Sequence, residues 1–414
     1  MVRRPRPSLS EKLLAGRSVG DAIDEELGHL RAGPFDEDAF PSRLHDERVA
    51  ALLGIALGVA FATCFLTGLY SHFAQTPLSI GFLSMPASPA WLYRVTQGLH
   101  VASGTAAIPL LLVKLWVVYP QLFAWPPVRD LPHALTRLSL APLIAGSIFL
   151  LFTGLLNTAR WYPWEFGFRE THYWVAWVTV GSLLVHVGAQ LVVLRRTVGP
   201  TARRRLAAEA PEPPGDGLSR RGLLTATAAA VGAVTLATVG QTVRPLKDLA
   251  VLAPRLPDVG PQGLPVNRSA AGAGVLDLIR DPEYRLTVTG AVERELSLTL
   301  AELQALPQHD ADLAITCVEG WSAGARWSGV RVRELLELAG ASPDAEVRVR
   351  SLQQRGSFRS SELNVPHAQH PDTLLALRID GEELHPDHGF PCRLISPNRP
   401  GVQQTKWVTR LEVL

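Results

Sequence analysis

The sequence predicts a multidomain protein in which an all-α transmembrane bundle of five spans is followed by an α+β, strand-rich domain. Hydrophobic residues make up 47% of the 414 residues and charged residues only 19%, against about 25% charged in an average soluble protein. Charge is also uneven, because uncharged stretches recur up to about residue 250 and the remainder has an ordinary globular composition. The formal net charge of +2 argues against a nucleic-acid partner, which requires a concentrated basic surface.

Five runs of the sequence are long and apolar enough to cross a membrane. A helix needs about 20 apolar residues to span a hydrocarbon core of roughly 30 Å. The fifth run is the least hydrophobic, because alanine, threonine and glycine dominate it. The predicted spans are Val49–Tyr70, Leu92–Tyr119, Leu138–Ala159, His172–Leu194 and Gly222–Val243.

These spans divide the chain into six predicted segments. They are a cytoplasmic N-terminal segment (1–45), a four-helix membrane domain (46–200), an arginine-rich linker (201–221), the fifth span (222–243), a connector (244–263) and the C-terminal domain (264–414).

Basic residues predict which ends of the spans face the cytoplasm, because loops rich in arginine and lysine stay inside. Seven arginines lie in Arg195–Arg221, between the fourth and fifth spans, so we expect this loop inside. Four spans precede it, which places the N-terminus inside as well. A fifth crossing then leaves the C-terminal domain on the extracytoplasmic face of the cell membrane.

The start of the fifth span has two interpretations. Ser219-Arg220-Arg221-Gly222-Leu223-Leu224, followed by an alanine-rich run, resembles a twin-arginine export signal, here internal. That pathway carries folded proteins, so the motif would suit a domain that folds around a cofactor before export. The alternative is an ordinary positively charged flank of a membrane anchor.

Histidines inside the spans are candidate metal ligands, because ionisable groups within a bilayer are costly and usually functional. His172 and His186 are 14 residues apart, about 21 Å along one helix and within roughly 40° of the same face. This spacing suits axial ligation of two stacked b-type haems, each needing a second ligand. His100 is the best partner for His172, His72 could compete for that site, and His45 lies too far toward the cytoplasm to partner His186. The alternative for the pair is hydrogen-bonded histidines or a proton path.

The membrane half resembles the four-helix b-type cytochrome subunits of formate dehydrogenase and nickel-iron hydrogenase. The resemblance implies b-type haem, one or two per chain, and electron exchange with membrane quinone. Those families place a ligand for the inner haem in the first span, where this sequence has Ala50, Ala51 and Gly54. The matching residues are Glu47-Arg48, Thr67-Gly68-Leu69, Leu99-His100 with Gly104, and the pair His172 and His186.

Beyond the connector the pattern changes to short strands and a few helices, which is typical of an α+β domain. Thr299 and Glu302 form a capping box, and Gly340 ends a second helix. Asp380-Gly381 predicts a hairpin turn. The predicted strands are Tyr284–Gly290, Asp312–Cys317 and Trp407–Val413, and the predicted helices are Thr299–Leu306 and Val332–Ala339.

The three cysteines, Cys64, Cys317 and Cys392, act singly, since their spacing fits neither a disulfide framework nor a paired zinc site. Cys317 leaves a predicted strand into the turn Val318-Glu319-Gly320-Trp321, where its thiolate could bind a soft metal. Taken alone, a buried cysteine is more often a small apolar side chain.

Four motifs in order over residues 260–414 resemble the molybdopterin-binding domain of the sulfite oxidase superfamily. The resemblance implies a sulfite-oxidase-type domain that binds a molybdenum-molybdopterin cofactor, with Cys317 as the catalytic ligand to molybdenum. It also implies that Asn267 meets the cofactor and that His388, Arg393 and Lys406 hold the pterin and its phosphate. The motifs are Cys317-Val318-Glu319-x-Trp321, Trp327-x-Gly329-Val330, His385-Pro386-x-His388-Gly389-Phe390-Pro391-x-Arg393-Leu394-Ile395-x-Pro397 and Lys406-Trp407-Val408.

Two departures bear on the substrate. Vertebrate-type sulfite oxidases carry a further C-terminal dimerisation domain, and arginines close to their cysteine help to bind sulfite, whereas Glu319-Gly320-Trp321 stand here. In both departures the sequence is more similar to the exported bacterial methionine sulfoxide reductase catalytic subunit, which works with a separate membrane haem partner. Arg326, Arg355 and Arg359 are candidates to bind an anionic or oxo substrate.

The combined hypothesis is a membrane-bound molybdopterin oxidoreductase that passes electrons between an outer molybdenum site and the quinone pool through b-type haem. Its substrate would be a small oxo-anion or a sulfoxide, either reduced with quinol electrons or oxidised in a sulfite-type reaction. The alternative is a non-enzymatic membrane transport or sensor protein with an outer ligand-binding domain.

Overall fold

The computed structural model describes most of the chain. The described residues are 21, 40, 42–76, 84–126, 128–199, 217–240, 244–253, 255–356 and 358–414. Most of the predicted segment 1–45, most of the linker 201–221 and the end of the fifth span at 241–243 lie outside them. The chain forms two compact units, Met1–Phe65 with Ser103–Thr235 and Leu66–Ala102 with Leu236–Leu414.

Five long helices match the five predicted apolar runs. Each is long and apolar enough to cross a membrane, which confirms the predicted helices. The third begins at Leu131 rather than Leu138 because the Asp130 side chain caps it, accepting a hydrogen bond from the backbone N–H of His133. The helices are α1 (Glu47–Gln75), α2 (Leu92–Val118), α3 (Leu131–Ala159), α4 (Phe168–Val198) and α5 (Arg220–Val239).

In the first unit, α5 packs on α1 and α2. Leu223 of α5 belongs to the same buried apolar cluster as Val49 and Leu53 of α1 and Leu110 of α2. The fifth apolar run is therefore an integral helix of this unit.

Charged residues gather where α1 and α5 begin and α4 ends. Arg196 pairs with Glu47 at 3.0 Å, and Arg220 pairs with Asp46 at 3.5 Å. These are partly exposed pairs, worth at most about 1 kcal/mol each. Their importance lies in the arrangement of the helices, because they join the start of α1, the end of α4 and the start of α5 at one end of the unit.

The second unit contains a domain built on two five-stranded sheets. The first sheet has the order β2-β1-β10-β5-β6, and the second has the order β3-β4-β7-β8, with β9 also pairing β7. Among the described strands, β1 and β10 are the one parallel pair and all other pairs are antiparallel. The strands are β1 (Arg285–Gly290), β2 (Leu296–Thr299), β3 (His309–Thr316), β4 (Ser322–Arg331), β5 (Val347–Ser351), β6 (Ser360–Leu363), β7 (Leu374–Ile379), β8 (Glu382–Glu383), β9 (Arg393–Ile395) and β10 (Val408–Val413).

Short helices cover these sheets and close their core. They are α6 (Ala270–Ala273), α7 (Leu300–Ala305), α8 (Val332–Ala339) and α9 (Val365–Ala368). Leu335 of α8 is fully buried in one cluster with Leu286 of β1 and Leu411 of β10. Burying each such side chain contributes roughly 1.5–3 kcal/mol, so this strand-rich domain has a core of its own.

Local sequence signals in this domain are confirmed. Thr299 and Glu302 form both hydrogen bonds of a capping box at the start of α7. Gly340 ends α8 with a φ of 70°. Asp380 and Gly381 both have positive φ and join β7 to β8, as a primed hairpin turn requires.

Candidate functional site

The turn between β3 and β4 presents Cys317. The two strands pair from Thr316 opposite Ser322 onward, so residues 317–321 form the connection. The Cys317 N–H donates to the Trp321 carbonyl at 2.9 Å, and the Gly320 N–H donates to the Cys317 carbonyl at 3.1 Å. Gly320 has a φ of 99°, which glycine adopts without steric penalty. The predicted glycine turn is present, with β3 ending one residue before Cys317.

Asn267 reaches the Cys317 sulfur. Its Nδ2 group donates to Cys317 Sγ at 3.0 Å, although the two residues are 50 positions apart. An amide donor at this distance stabilises negative charge on sulfur, because hydrogen bonds to ionised acceptors are the stronger ones. Cys317 is buried, with 4% of its surface exposed.

Gly389 brings Arg393 and Lys406 together. Its φ is 114°, and a Cβ there would lie 3.1 Å from Arg393 Cβ and 3.2 Å from Lys406 Cβ. The Leu394 N–H donates to the Thr405 carbonyl at 2.9 Å, which keeps the two segments side by side. Two cationic side chains therefore leave neighbouring backbones at one place, as binding of a phosphate requires.

Lys406 links this pair to the Asn267 segment. Its ammonium donates to the carbonyl of Arg268, the residue after Asn267, at 2.9 Å. It also donates to the Asp387 carbonyl at 2.6 Å. The structure thereby connects the predicted cofactor residues to one another and to Cys317.

Arg393 is a buried cation of this group. Only 3% of it is exposed, and it lies 5.4 Å from the ring centroid of Trp327. Among the described residues its Nη1 donates to the His388 carbonyl at 3.2 Å, and its buried Nε has no partner. Burial lowers the pKa of Arg393 to about 9, so the side chain stays charged at neutral pH. A buried charge without a counter-charge is destabilising, and a bound phosphate would remove that cost.

His388 is held as a neutral imidazole. Its Nε2 bonds to the Pro261 carbonyl at 2.6 Å, so the proton is on Nε2 and Nδ1 can only accept. Burial lowers the pKa of His388 to about 4, and the charges of Arg393 and Lys406 contribute in the same direction. His388 can therefore accept a hydrogen bond from a ligand but supplies no positive charge.

Two side chains that sequence reasoning did not single out hold this turn in place. Trp407 Nε1 donates to the Pro386 carbonyl at 2.7 Å, and the Asp387 carboxylate accepts from the Ala270 N–H at 2.7 Å. Trp407 is part of a quoted motif, and Asp387 fills an unspecified position inside another. Their place among motif residues was the sequence signal that could have identified them. Together they tie the turn Pro386–His388 to β10 and to α6.

A family match bears on this group of side chains. Residues 273–414 match the family described as "Oxidoreductase molybdopterin binding domain". The strand-rich C-terminal domain of this chain therefore matches a molybdopterin-binding domain.

Curated relatives agree with this assignment. The chain is 38% identical over 130 residues to the putative protein-methionine-sulfoxide reductase subunit YedZ1 of Azospira oryzae, covering 31% of this chain and 48% of the relative. It is 27% identical over 143 residues to the protein-methionine-sulfoxide reductase catalytic subunit MsrP of Campylobacter jejuni, with coverages of 31% and 48%. It is 32% identical over 161 residues to mitochondrial sulfite oxidase of Drosophila melanogaster, with coverages of 33% and 28%.

The chain thus spans about half or less of the length of these relatives. A solved structure, the sulfane dehydrogenase SoxCD of Paracoccus pantotrophus, matches 32% of this chain and 38% of its own, at 24% identity and a TM-score of 0.30. The family match and the curated relatives agree with the predicted sulfite-oxidase-type molybdopterin domain, and these relatives are themselves named as oxidases and reductases.

Among the histidines of the long helices, His172 has the hydrogen bonding expected of a metal ligand. Its Nδ1 lies 3.3 Å from Thr153 Oγ1, and that hydroxyl already donates to the Phe149 carbonyl at 2.8 Å. Nδ1 must therefore carry the proton, which leaves the lone pair on Nε2. Metal-binding histidines commonly have their second ring nitrogen fixed in this way.

His100 lies against a glycine of the neighbouring helix. A Cβ at Gly68 would fall 2.9 Å from His100 Cε1, so only glycine leaves room for the ring. The sequence had linked these two residues through their motifs, and the structure places them in contact within the second unit.

The remaining candidates lie in different surroundings. His186 has a buried Nδ1 with no partner among the described residues, and the nearby charge is Lys114, whose ammonium donates to the Ala50 carbonyl at 2.7 Å. His45 precedes α1, and its Nδ1 bonds to the Val117 carbonyl at 3.0 Å. His72 lies in the last turn of α1.

The three arginines suggested for an anionic substrate are exposed. Arg326 forms a 2.6 Å ion pair with Asp310 and stands four residues along β4 from Ser322, about 13 Å at roughly 3.3 Å per residue. Arg355 and Arg359 are exposed. Charge alone suggested them, and the ion pair of Arg326 already accounts for one.

Gly389→Ala is predicted to empty the molybdopterin domain of cofactor. The new Cβ would push Arg393 and Lys406 apart and would hold alanine at a φ of 114°, a strain of roughly 1–3 kcal/mol. We expect bound molybdenum per chain to fall several-fold, measured by elemental analysis. Gly381→Ala is the matched control, since its φ is also positive but nothing lies within 4 Å. Equal molybdenum contents in the two variants would contradict the role given to Gly389.

Acid is predicted to destabilise the molybdopterin domain through His388. Its folded pKa is about 4, and an unfolded histidine titrates near pH 6.5. Between these values the unfolded chain binds a proton that the folded chain does not, so stability falls as pH is lowered through this window. In thermal unfolding of the detergent-solubilised chain, the loss of stability on lowering the pH should be smaller in His388→Asn than in wild type. The exposed neighbour variant His385→Asn should retain the wild-type slope, and a His388→Asn slope equal to it would refute the assignment.

Proposed function

We propose that this chain is a membrane-bound molybdopterin-dependent oxidoreductase that passes electrons between a molybdenum site on the extracytoplasmic face and the quinone pool, through b-type haem. The observation that carries the proposal is the connected group of Asn267, Cys317, Arg393 and Lys406 within a domain of the matching family. A thiol with an amide donor, in a domain that also holds a buried arginine, suits a metal with an anionic organic cofactor.

The residues present fit the molybdenum cofactor. Cys317 would supply the sulfur ligand and Asn267 would orient it. Arg393 and Lys406 would hold the phosphate, and His388 Nδ1 would accept a hydrogen bond from the pterin. When bound, the cofactor would supply oxygen-atom exchange and two-electron chemistry.

The proposal includes b-type haem, one or two per chain, with His100, His172 and His186 as candidate ligands and His72 as a lesser one. The supporting observations are the protonated Nδ1 inferred for His172, the unpartnered Nδ1 of His186 and the glycine beside His100. Such a haem would carry single electrons between the molybdenum side and quinone. Lys114 is a half-buried cation of this region, and cations within apolar membrane helices are functional by default.

The proposed orientation is supported by the cluster of charges at the ends of α1, α4 and α5. Arg196 and Arg220 lie at this end, which supports a cytoplasmic position for it, because basic residues flank the cytoplasmic ends of membrane helices. Because α5 packs into the apolar core of the first unit, we propose that it stays as a membrane helix, with Ser219-Arg220-Arg221 serving either export or anchoring.

A neutral sulfoxide fits the site better than sulfite does. Glu319 places a carboxyl group two residues after Cys317, with only 7% of it exposed, and a carboxylate there would repel a dianion. Two of the relatives are named as methionine-sulfoxide reductase subunits. Reduction of a sulfoxide consumes two electrons and two protons and yields a thioether and water, so quinol would be the electron source.

The test is the direction of haem oxidation in the purified full chain. Under anaerobic conditions, haem reduced with a limiting amount of dithionite should be reoxidised by methionine sulfoxide, and oxidised haem should not be reduced by sulfite. Haem reduction by sulfite would instead establish the sulfite-type dehydrogenase favoured by the sulfite oxidase relatives. No response to either compound, with no b-type bands, would favour the non-enzymatic transport or sensor alternative.

A further inference from the structure

The molybdopterin domain and the segment Leu66–Ala102 belong to one compact unit. That segment contains the end of α1, the start of α2 and His100. Its contacts with the domain are made by buried polar side chains that recognise backbone groups. Such contacts fix position more narrowly than apolar packing does, because each lost hydrogen bond leaves a buried polar group unsatisfied.

Asn398 of the domain caps the start of α2. Its Oδ1 accepts the Tyr93 backbone N–H at 2.7 Å, one of the helix donors that have no partner within the helix. Its Nδ2 donates to the Pro86 carbonyl at 2.6 Å. Tyr93 is 1% exposed and Asn398 4% exposed, so the bond between them is shielded from water.

The end of α1 is capped in the same way. The Gln403 side chain donates to the Gln75 carbonyl, the last residue of α1, at 2.8 Å. Asn364 donates to the Met85 carbonyl at 2.9 Å. Three amide side chains of the domain thus hold one continuous segment of the chain.

The fourth contact reaches the metal-binding turn itself. Gln97 of α2 is 2% exposed, and its Nε2 donates to the carbonyl of Val318 at 2.8 Å. Val318 directly follows Cys317. Gln97 lies three residues before His100, so the two side chains leave adjacent positions on one face of α2.

A fifth contact, also with the Cys317 turn, lies beside the Gln97 hydrogen bond. A Cβ at Gly320 would fall 2.8 Å from Val101 Cγ2, so the valine side chain lies against the glycine backbone of the turn. Val101 is four residues after Gln97 and follows His100. The turn therefore meets α2 at positions that bracket His100.

From these contacts we infer that Gln97 is a positioning residue for electron transfer: it fixes the Cys317 turn against α2, next to His100. The inference rests on the proposed function, because it requires molybdenum at Cys317 and haem at His100. Two single-electron crossings from the haem side to the molybdenum side would supply the two electrons of sulfoxide reduction. That reduction would also consume two protons from solvent and yield a thioether and water, with quinol as the ultimate electron donor.

The experiment compares Gln97→Leu with Gly98→Ala in the full-length purified chain. Gly98 neighbours Gln97 on α2 and has nothing within 4 Å of its Cβ position. Two rates are measured for each variant: reoxidation of pre-reduced haem by sulfoxide in a stopped-flow instrument, and turnover driven by reduced methyl viologen, which supplies the molybdenum side directly. Molybdenum and haem contents are measured alongside.

We expect haem reoxidation in Gln97→Leu to slow about ten-fold. Loss of one buried hydrogen bond lowers the population of the correctly positioned Cys317 turn by about that factor. Viologen-driven turnover and both cofactor contents should stay within about two-fold of Gly98→Ala. The haem reoxidation rate of Gln97→Asn, which keeps the amide on a shorter side chain, should be intermediate. This variant replaces Gln97→Leu in the test if the leucine variant does not fold.

Two results would overturn the inference. One is haem reoxidation in Gln97→Leu at the Gly98→Ala rate. The other is an equal fall of both rates, which would show a structural role only. Failure of the proposed function gives a different result, because wild-type haem would then be absent or would not respond to sulfoxide at all.

Discussion

Cys317→Ser is expected to abolish sulfoxide turnover, by at least about 100-fold, while leaving the b-type haem spectrum unchanged. A serine hydroxyl stays protonated at neutral pH and is a poor ligand for a soft metal, whereas a thiolate is a good one. The haem candidates lie on the long helices, so their spectrum is independent of this side chain. Turnover per chain and the reduced-minus-oxidised visible spectrum measure the two effects.

Cys392→Ser is the matched control for this prediction. Cys392 is fully buried, and its sulfur lies 3.2 Å from the Tyr284 hydroxyl. Burial raises the pKa of the Cys392 thiol to about 12, so it remains a protonated packing group. We expect its variant to lose about 1 kcal/mol of stability and to keep turnover per bound molybdenum. Retained turnover in Cys317→Ser would refute the ligand role of Cys317.

Arg393→Met is expected to have opposite effects on cofactor binding and on the stability of the cofactor-free chain. Removing one partner of a buried charge pair costs about 3–5 kcal/mol, so cofactor occupancy should fall below roughly a tenth of wild type. Without cofactor, Arg393 is a buried cation with an unpartnered Nε. Its replacement by an apolar side chain should then raise stability by about 1–4 kcal/mol.

These two opposite effects are measured on chain produced with and without molybdenum cofactor. Elemental analysis gives the cofactor occupancy, and thermal unfolding gives the stability. Arg355→Met is the control, because Arg355 is exposed and should change neither quantity. If Arg393→Met lowered the stability of the cofactor-free chain, Arg393 would be a structural residue rather than an anion-binding one.

Local signals in the sequence were sufficient for much of the fold. The five long helices depend on apolar runs alone, and the capping box at Thr299 and the turn at Asp380-Gly381 depend on a few neighbouring residues. Each needs no knowledge of distant contacts, and each is present in the structure. The motif around Cys317 likewise predicted a glycine turn, which Gly320 forms.

Long-range contacts could not be predicted in this way. Gln97 is an unremarkable polar residue of an apolar helix, and its meaning depends on a carbonyl 221 positions away. Asn398 caps a helix that begins 306 residues earlier, at Leu92. The burial of Arg393 was also hidden, because sequence alone cannot distinguish a buried arginine from a solvated one.

Molybdenum X-ray absorption of the purified full chain, compared with that of Cys317→Ser, tests the central claim most directly. The account predicts a molybdenum centre in wild type with one more sulfur ligand than in the variant. Absence of molybdenum from wild type, or an unchanged number of sulfur ligands in Cys317→Ser, would contradict it.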